Sequence, residues 1–339
     1  MKKFYTGFYI LSILLLLFAP LFTLRAQDAQ YDIPMSGIAK RDPFVTVDRQ
    51  AGRYYIITPA RADSDSAMAL EAYESRDLKM WRRLGLVYQG TEGWMKNVVR
   101  GKDHWWAPDT YYYRGRYYTI VTLTSQKLGR VNFCTLLKGG KSPADPYRNV
   151  WKDGEAISLT PYGHQCLDGS LYVDEEKRPW LVYSLEWNGA QVQDRIGETW
   201  AIRLKKNLKG SIGQPIRLFR ASEAEWTGWK PGVEDIVDAP FLWKDPQSGH
   251  LICLWSSFNG SYCVGQAISR SGRIEGPWEH LPDPIYVNGG HEMVFRDLQG
   301  NLKMSLHHDN NNAHLNIVDI EIENGIIKRR TDGDAGITE

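Results

Sequence analysis

Five segments of the chain repeat one pattern: a charged or catalytic-type residue leads into an apolar strand, a Gly/Asp turn and a second apolar strand. Their lead residues recur at intervals of 53 to 70 residues and are Asp42, Asp109, Asp168, Asp238 and His291. This recurrence is typical of propeller blades, each a small antiparallel sheet that cannot bury its own faces. The pattern predicts a five-bladed β-propeller whose innermost strands direct these residues toward a central axis.

Alternation of apolar and polar residues supports this fold class. Near the C-terminus, Val318, Ile320 and Ile322 alternate with acidic residues, and such a period of two indicates strands with one buried face. No sustained helical period follows the N-terminal segment, and no Pro/Ser-rich linker divides the chain. We therefore predict an all-β protein in which residues 27–339 form a single domain.

The N-terminal segment resembles a secretory signal peptide. Lys2 and Lys3 precede an apolar run over residues 8–18, and polar sequence begins after Ala26. These features predict that residues 1–26 are removed and that the protein is exported, to the periplasm or the extracellular space, without stable membrane insertion. Because Leu24 is poorly suited to the third position before the cleavage site, an uncleaved anchor is the alternative.

Charge and cysteine content limit the partners and the cross-links. The chain has 41 basic and 40 acidic residues, a formal net charge of +1, which indicates an uncharged partner and no nucleic acid. Cys253 and Cys263 flank a hairpin turn at Asn259-Gly260, so a disulfide between them is conceivable. Buried free thiols are favoured, because a domain of this size needs no covalent staple.

Carboxylates and aromatic side chains together indicate sugar chemistry. Glycoside hydrolysis needs one carboxylic acid to protonate the leaving oxygen and a carboxylate on the other side of the sugar. Asp42, Asp168 and Asp238 lie on different predicted blades and meet this requirement. Among the 13 Trp and 18 Tyr, Trp106 and Trp187 lie at strand ends, where an aromatic face suits a sugar ring, although core packing is the alternative.

Four motifs make the chain, from Lys40 to Lys328, resemble glycoside hydrolase family 43, a family of five-bladed propeller enzymes. They are Arg41-Asp42-Pro43, Trp106-Ala107-Pro108-Asp109, Leu167-Asp168-Gly169 and Gly290-His291. The resemblance implies an inverting mechanism with Asp42 as general base and with Asp168 raising the pKa of the acid and orienting it. The residues expected to contact substrate are Trp106, Trp187, His291 and Phe44.

The resemblance implies no required cofactor. It leaves open a structural calcium in the central channel, held through water molecules near His291. The sequence has no His-Glu-x-x-His motif and no EF-hand loop, and His307-His308, which precede Asp309, are predicted to form a polar loop.

The general acid is the point of departure from the family. Where the family presents Glu-Gly-Pro, this chain has Asp238-Ala239-Pro240, and aspartate is one methylene shorter than glutamate. Three explanations remain open: Asp238 is the acid, Glu234 on the preceding loop replaces it, or the acid function is lost.

The favoured function is that of an exported inverting exo-glycosidase acting on plant-type polysaccharides or oligosaccharides. An α-L-arabinofuranoside is the first expected substrate, followed by a β-D-xyloside or a galactan. The alternative from another class is a non-catalytic carbohydrate-binding propeller, which the altered acid motif would explain.

Overall fold

A computed structural model describes residues 30–60, 69–90, 105–125, 129, 131–152, 155–186, 195–227 and 235–330. The predicted signal peptide lies outside these residues, so its cleavage and the predicted domain limits stay predictions. Trp187 and Glu234 also lie outside them. No helix in the described part of the chain is long and apolar enough to cross a membrane.

The described strands form five antiparallel blades, which confirms the all-β five-bladed propeller. Blade 1 adds a short outer strand and has the order β1-β5-β4-β3-β2. Its strands are β1 (Ile33–Pro34), β2 (Val45–Asp48), β3 (Arg53–Ala60), β4 (Ala69–Ser75) and β5 (Met80–Gln89). Blade 2 contains β6 (Trp105–Tyr113), β7 (Arg116–Ser125), β8 (Val131–Lys138) and β9 (Arg148–Asn149). A small hairpin of β10 (Trp151–Lys152) and β11 (Glu155–Ala156) follows.

The remaining three blades have the same meander order. Blade 3 contains β12 (Cys166–Val173), β13 (Pro179–Leu185), β14 (Glu198–Leu204) and β15 (Ser211–Arg220). Blade 4 contains β16 (Asp238–Lys244), β17 (Leu251–Asn259), β18 (Ser261–Ser269) and β19 (Glu279–His280), and β20 (Tyr286–Val287) also pairs with β18. Blade 5 contains β21 (Gly289–Arg296), β22 (Leu302–His308), β23 (His314–Glu323) and β24 (Ile326–Arg329). Short 3-10 turns occupy Met35–Gly37, Ala221–Glu223 and Glu225–Thr227.

A left-handed residue marks the same place in every blade, at or just before the innermost strand. These residues are Asp42, Ala107, Asp168, Ala239 and His291, with φ between 47° and 56°. In blades 2 to 5 the strand register shifts across this left-handed residue, as in a β-bulge. Non-glycine residues rarely adopt this conformation, and it concentrates at functional sites.

The positions of these left-handed residues show that the predicted repeat was misplaced by one or two residues in blades 2 and 4. The equivalents of Asp42, Asp168 and His291 are alanines in blades 2 and 4, so Asp109 lies two residues too late and Asp238 one residue too early. The sequence pattern followed charged residues, whereas the backbone repeat follows the bulge. Asp238 therefore occupies the place that Trp106 has in blade 2.

The innermost strands surround the axis, and apolar side chains fill the space between blades. Each innermost strand contacts its neighbour, and the ring closes where β21 meets β2. The closing core includes Ile56 and Trp81 from blade 1 with Met304 and Leu306 from blade 5. Groups remote in the chain are thereby held on a common axis.

The four cysteines are buried free thiols, as favoured from the sequence. Across β17 and β18, Cys253 pairs with Ala267 and Cys263 with Ser257. The two cysteines therefore lie at different levels of the hairpin, and the conceivable disulfide does not form.

Candidate active site

Aspartates from blades 1 and 3 meet a histidine from blade 5 at one end of the axis. The Nδ1 atom of His291 lies 3.2 Å from Oδ1 of Asp42 and 3.8 Å from Oδ2 of Asp168. The Asp42 side chain is 18% exposed and the Asp168 side chain 6%. The left-handed backbone at all three residues directs them into this cluster.

Side chains on second strands hold the left-handed backbone in place. The backbone N–H of Asp168 donates to Oγ1 of Thr122 at 3.0 Å, and that of His291 donates to Oγ of Ser256 at 3.0 Å. For Asp42, the acceptor is Nδ1 of His307 at 3.4 Å. In each case the acceptor comes from the preceding blade around the ring, so blade packing fixes the bulges.

Asp42 is surrounded by basic side chains. Burial alone would raise the pKa of Asp42, but His291, His307 and Arg41 together hold it well below its ordinary value. The guanidinium of Arg41 is itself anchored to the backbone oxygen and the side-chain oxygen of Asn310, at 2.8 Å each. Asp42 is therefore ionised at neutral pH, as a proton acceptor must be.

Asp238 has the opposite tendency. Burial raises the pKa of Asp238 to about 6, the charge of Asp42 adds to this shift, and a hydrogen bond from Tyr262 opposes it. The Tyr262 hydroxyl donates to Oδ2 of Asp238 at 3.0 Å. A carboxyl group with a pKa near neutrality can hold a proton and release it, which suits a general acid.

Asp168 connects these two groups. Burial, followed by the charges of Asp238 and Asp42, raises the pKa of Asp168 well above its ordinary value. Its Oδ2 accepts a hydrogen bond from the backbone N–H of Ala239 at 3.1 Å, directly beside Asp238. Neighbouring carboxyl groups resist simultaneous ionisation, so Asp168 and Asp238 titrate as a coupled pair and not independently.

His291 is a buried neutral imidazole. Burial lowers its pKa to about 4, against the opposing charge of Asp42. It lines a cavity of about 10 Å³ beneath the cluster together with Asp109 and Glu292. Ser256 donates to Oε2 of Glu292 at 2.6 Å, and burial raises the pKa of Glu292 to about 8.

The residues around this cavity include possible ligands for the calcium left open by the sequence. Carboxylate oxygens are suitable ligands, and Oε1 of Glu292 is buried without a hydrogen-bond partner. Calcium takes six to eight oxygen ligands. No grouping of three or more His, Cys, Asp or Glu suited to a metal occurs among the described residues, so the calcium stays a prediction.

The predicted substrate contacts have different environments. Trp106 is half-buried and immediately precedes left-handed Ala107, at the same place in its blade as Asp238. Phe44 is 6% exposed and packs edge-on against Tyr111 and Phe241, with ring centroids 4.8 and 6.3 Å apart. Phe44 is thus a core residue, which does not fit the predicted contact with substrate.

Sequence analysis missed three side chains at the site. His307, predicted to lie in a polar loop, is fully buried at the end of β22, with Nδ1 3.5 Å from Oδ1 of Asp42. Tyr262 lies on the third strand of blade 4. Glu186 follows β13, and burial and the charge of Asp238 raise its pKa to about 7. None belongs to a recurring motif, and the only available signal was their position near strand ends.

Comparison with known proteins places this site in a family. Residues 31–324 match the family model described as glycosyl hydrolases family 43. The structure aligns with an endo-arabinase from Bacteroides thetaiotaomicron VPI-5482 at a TM-score of 0.75 and 37% identity, over 87% of this chain and 99% of the other. It also aligns with a thermostable family-43 glycoside hydrolase at a TM-score of 0.73 and 20% identity, over 91% and 98% of the chains.

A third relative is a curated sequence, the extracellular endo-α-(1→5)-L-arabinanase 1 of Bacillus subtilis (strain 168). It is 22% identical over 44% of this chain and 48% of its own length, so the match spans about half of that protein. The propeller with its axial carboxylates is that of a glycoside hydrolase. Specifically, the chain belongs to glycoside hydrolase family 43.

Proposed function

We propose that the protein hydrolyses α-L-arabinofuranosyl linkages of arabinan with inversion, using Asp42 as general base and Asp238 as general acid. The observation that supports this assignment is that the pKa values of two aspartates on one axis are shifted in opposite directions. The pKa of Asp42 is held well below its ordinary value, while that of Asp238 is raised to about 6.

In this reaction Asp42 takes a proton from a water molecule, whose oxygen attacks the anomeric carbon. Asp238 gives its proton to the departing glycosidic oxygen, so the bond breaks without releasing an alkoxide. Asp168 titrates together with Asp238, and it orients the acid by accepting a hydrogen bond from the adjacent Ala239 N–H. An inverting enzyme needs room for a water between base and sugar, and this proposal therefore requires such a gap between Asp42 and Asp238.

The substrate proposal depends on the relatives. The alignment covers nearly the whole length of the 37%-identical endo-arabinase. The curated relative is an endo-acting arabinanase. These similarities favour arabinan over xylan and galactan, and cleavage at internal linkages over the exo action expected from the sequence. The extracellular relative also agrees with export, which N-terminal sequencing of the mature protein would test.

Purified protein should be incubated with linear arabinan, xylan and galactan, and with the matching aryl glycosides. We expect oligosaccharides from arabinan early in the reaction, and an inverted anomer in the first product seen by proton NMR. Arabinose as the sole early product would instead establish exo action. Activity only on xylan or galactan would overturn the substrate assignment, and a retained anomer would overturn the roles of the two aspartates.

A further inference from the structure

Tyr262 is the side chain that contacts the proposed acid directly. Its hydroxyl donates to Oδ2 of Asp238 at 3.0 Å, and the residue is 3% exposed. Burial, with the charges of Asp238, Asp168 and Asp42, raises the pKa of the phenol well above its ordinary value. The hydroxyl therefore keeps its proton and remains a hydrogen-bond donor at any pH at which the enzyme works.

The Tyr262 ring is packed against three neighbours. It stacks on the His307 imidazole, with centroids 5.5 Å apart and planes inclined by 9°. On another side it lies against Gly290, where a Cβ atom would overlap the ring. Phe258 contacts it at a centroid distance of 5.0 Å. A ring packed in this way fixes the position of its hydroxyl.

The same stack reaches the proposed base. Nδ1 of His307 lies 3.5 Å from Oδ1 of Asp42 and 3.4 Å from the Asp42 backbone nitrogen. Tyr262 and His307 thus form a continuous bridge from Asp238 in blade 4, across blade 5, to Asp42 in blade 1. The distance between the Asp42 and Asp238 carboxyl groups therefore depends on this bridge as well as on the lengths of the two side chains.

We propose that Tyr262 is a positioning residue that orients the short acid Asp238 and, through His307, fixes its distance from Asp42. This inference rests on the proposed function, because it assigns Tyr262 a task in that reaction. An aspartate ends about 1.5 Å nearer the backbone than a glutamate does, so the direction of its carboxyl group decides whether it reaches the leaving oxygen. The hydrogen bond from the Tyr262 hydroxyl fixes the orientation of the Asp238 carboxyl group.

The test is Tyr262→Phe in the full chain, which removes the hydroxyl and keeps the stacked ring. A hydrogen bond to a carboxylate favours its charged form, so its loss should raise the pKa of Asp238. We expect the alkaline limb of kcat/KM to move up by about one pH unit. We also expect kcat on arabinan to fall about tenfold and to fall less on aryl arabinofuranosides, whose leaving groups need little protonation.

The interpretation of that shift depends on the groups that face Asp238. These are Asp42 and Arg41 from blade 1, Asp168 and Glu186 from blade 3, and His307 and Glu292 from blade 5. Tyr262→Phe leaves all of them in place. Tyr286→Phe is the matched control, because it also removes a tyrosine hydroxyl in the same region, one bonded to His308 and Asn316 at 2.8 Å each. It should leave the pH profile unchanged.

A second measurement does not depend on turnover. Carbon-13 NMR titration of carboxyl groups, with Asp238→Asn for assignment, should show a higher pKa of Asp238 in Tyr262→Phe than in the unmutated protein. An unchanged pKa and pH limb would overturn the positioning role even if the enzyme degrades arabinan. A raised pKa in a protein that hydrolyses no glycoside would sustain the Tyr262–Asp238 coupling and overturn the proposed function instead.

Discussion

Asp42 combines a strained backbone with a surrounding of positive and polar groups. Replacing Asp42 by Asn keeps its shape and removes the proton acceptor. We expect Asp42→Asn to lower kcat on arabinan by about 10²- to 10⁴-fold, the usual contribution of a general base, with little change in binding measured by calorimetry. Exposed Asp283 offers a control, and Asp283→Asn should behave as the unmutated enzyme. Retained turnover by Asp42→Asn would move the role to another carboxylate.

The proposed acid is tested through the leaving group. Asp238→Ala should slow arabinan hydrolysis far more than hydrolysis of activated aryl arabinofuranosides, because only the natural leaving oxygen needs a proton. Comparison of kcat on the two substrates measures this difference. Glu234→Ala and Glu186→Gln are the parallel variants and should lack this selective loss. If Glu234→Ala shows it and Asp238→Ala does not, then Glu234 is the acid.

The ionisation of the two aspartates predicts the pH dependence. Asp238 must be protonated to act and has a pKa of about 6, so kcat/KM should fall as pH rises through that value. Asp42 must be ionised, and its lowered pKa places the acidic limb below the ordinary range of an aspartate. The alkaline limb belongs jointly to Asp238 and Asp168, whose protons are coupled. A profile of kcat/KM from pH 3 to 9 checks this, and an alkaline limb above pH 8 would contradict it.

Motifs identified Asp42, Asp168 and Asp238, because family resemblance attaches to short segments of innermost strands. Tyr262 and His307 could not be found in this way, since they lie on a third and a second strand. They contact Asp238 and Asp42 only because the closed ring brings neighbouring blades together. The pair His307-His308 seemed to belong to a loop because polar residues follow it. The burial of His307 depends on contacts with Asp42 beside blade 1 and with Tyr262 of blade 4, which local sequence does not encode.

At the scale of elements, the number of blades was predicted correctly, and the start of each repeat was predicted to within two residues. Apolar strand pairs were visible in the sequence, whereas the bulge was hidden because Ala107 and Ala239 carry no chemical signal. Their positive φ values are imposed by the fold. For this reason Asp109 appeared in the sequence to be a lead residue. In the structure its side chain instead accepts a hydrogen bond from the Tyr111 hydroxyl at 2.9 Å.

Gly265 on β18 shows how closely a blade packs against its surroundings. A Cβ atom at this position would overlap the indole ring of Trp226, which is 3% exposed in the core shared by blades 3 and 4. We expect Gly265→Ala to lower the free energy of unfolding by about 1–3 kcal/mol, as overpacking does, in chemical denaturation. Gly37→Ala is the milder comparison, because its Cβ would meet only side-chain atoms at 3.3 Å. Equal stability of both variants would mean that Trp226 moves aside freely.

At the scale of the whole molecule, the site exists only when the ring is closed. The proposed base comes from blade 1, the acid from blade 4, the modulating aspartate from blade 3 and the supporting histidines from blade 5. The first and last blades do not share a sheet in the described residues. They are joined by the core and by polar contacts such as the Leu298 N–H, which donates to the Tyr54 hydroxyl at 2.8 Å.

Opening this junction should therefore abolish activity and structure together. In a urea titration we expect arabinan hydrolysis and tryptophan fluorescence to be lost at one midpoint, as in a two-state transition. Tyr54→Phe removes the acceptor for Leu298 and should lower the free energy of unfolding by about 1 kcal/mol, moving both midpoints equally. Tyr112→Phe, at a side chain 62% exposed, should move neither. Loss of activity at clearly lower urea than loss of fluorescence would mean instead that the site opens locally while the five blades stay folded.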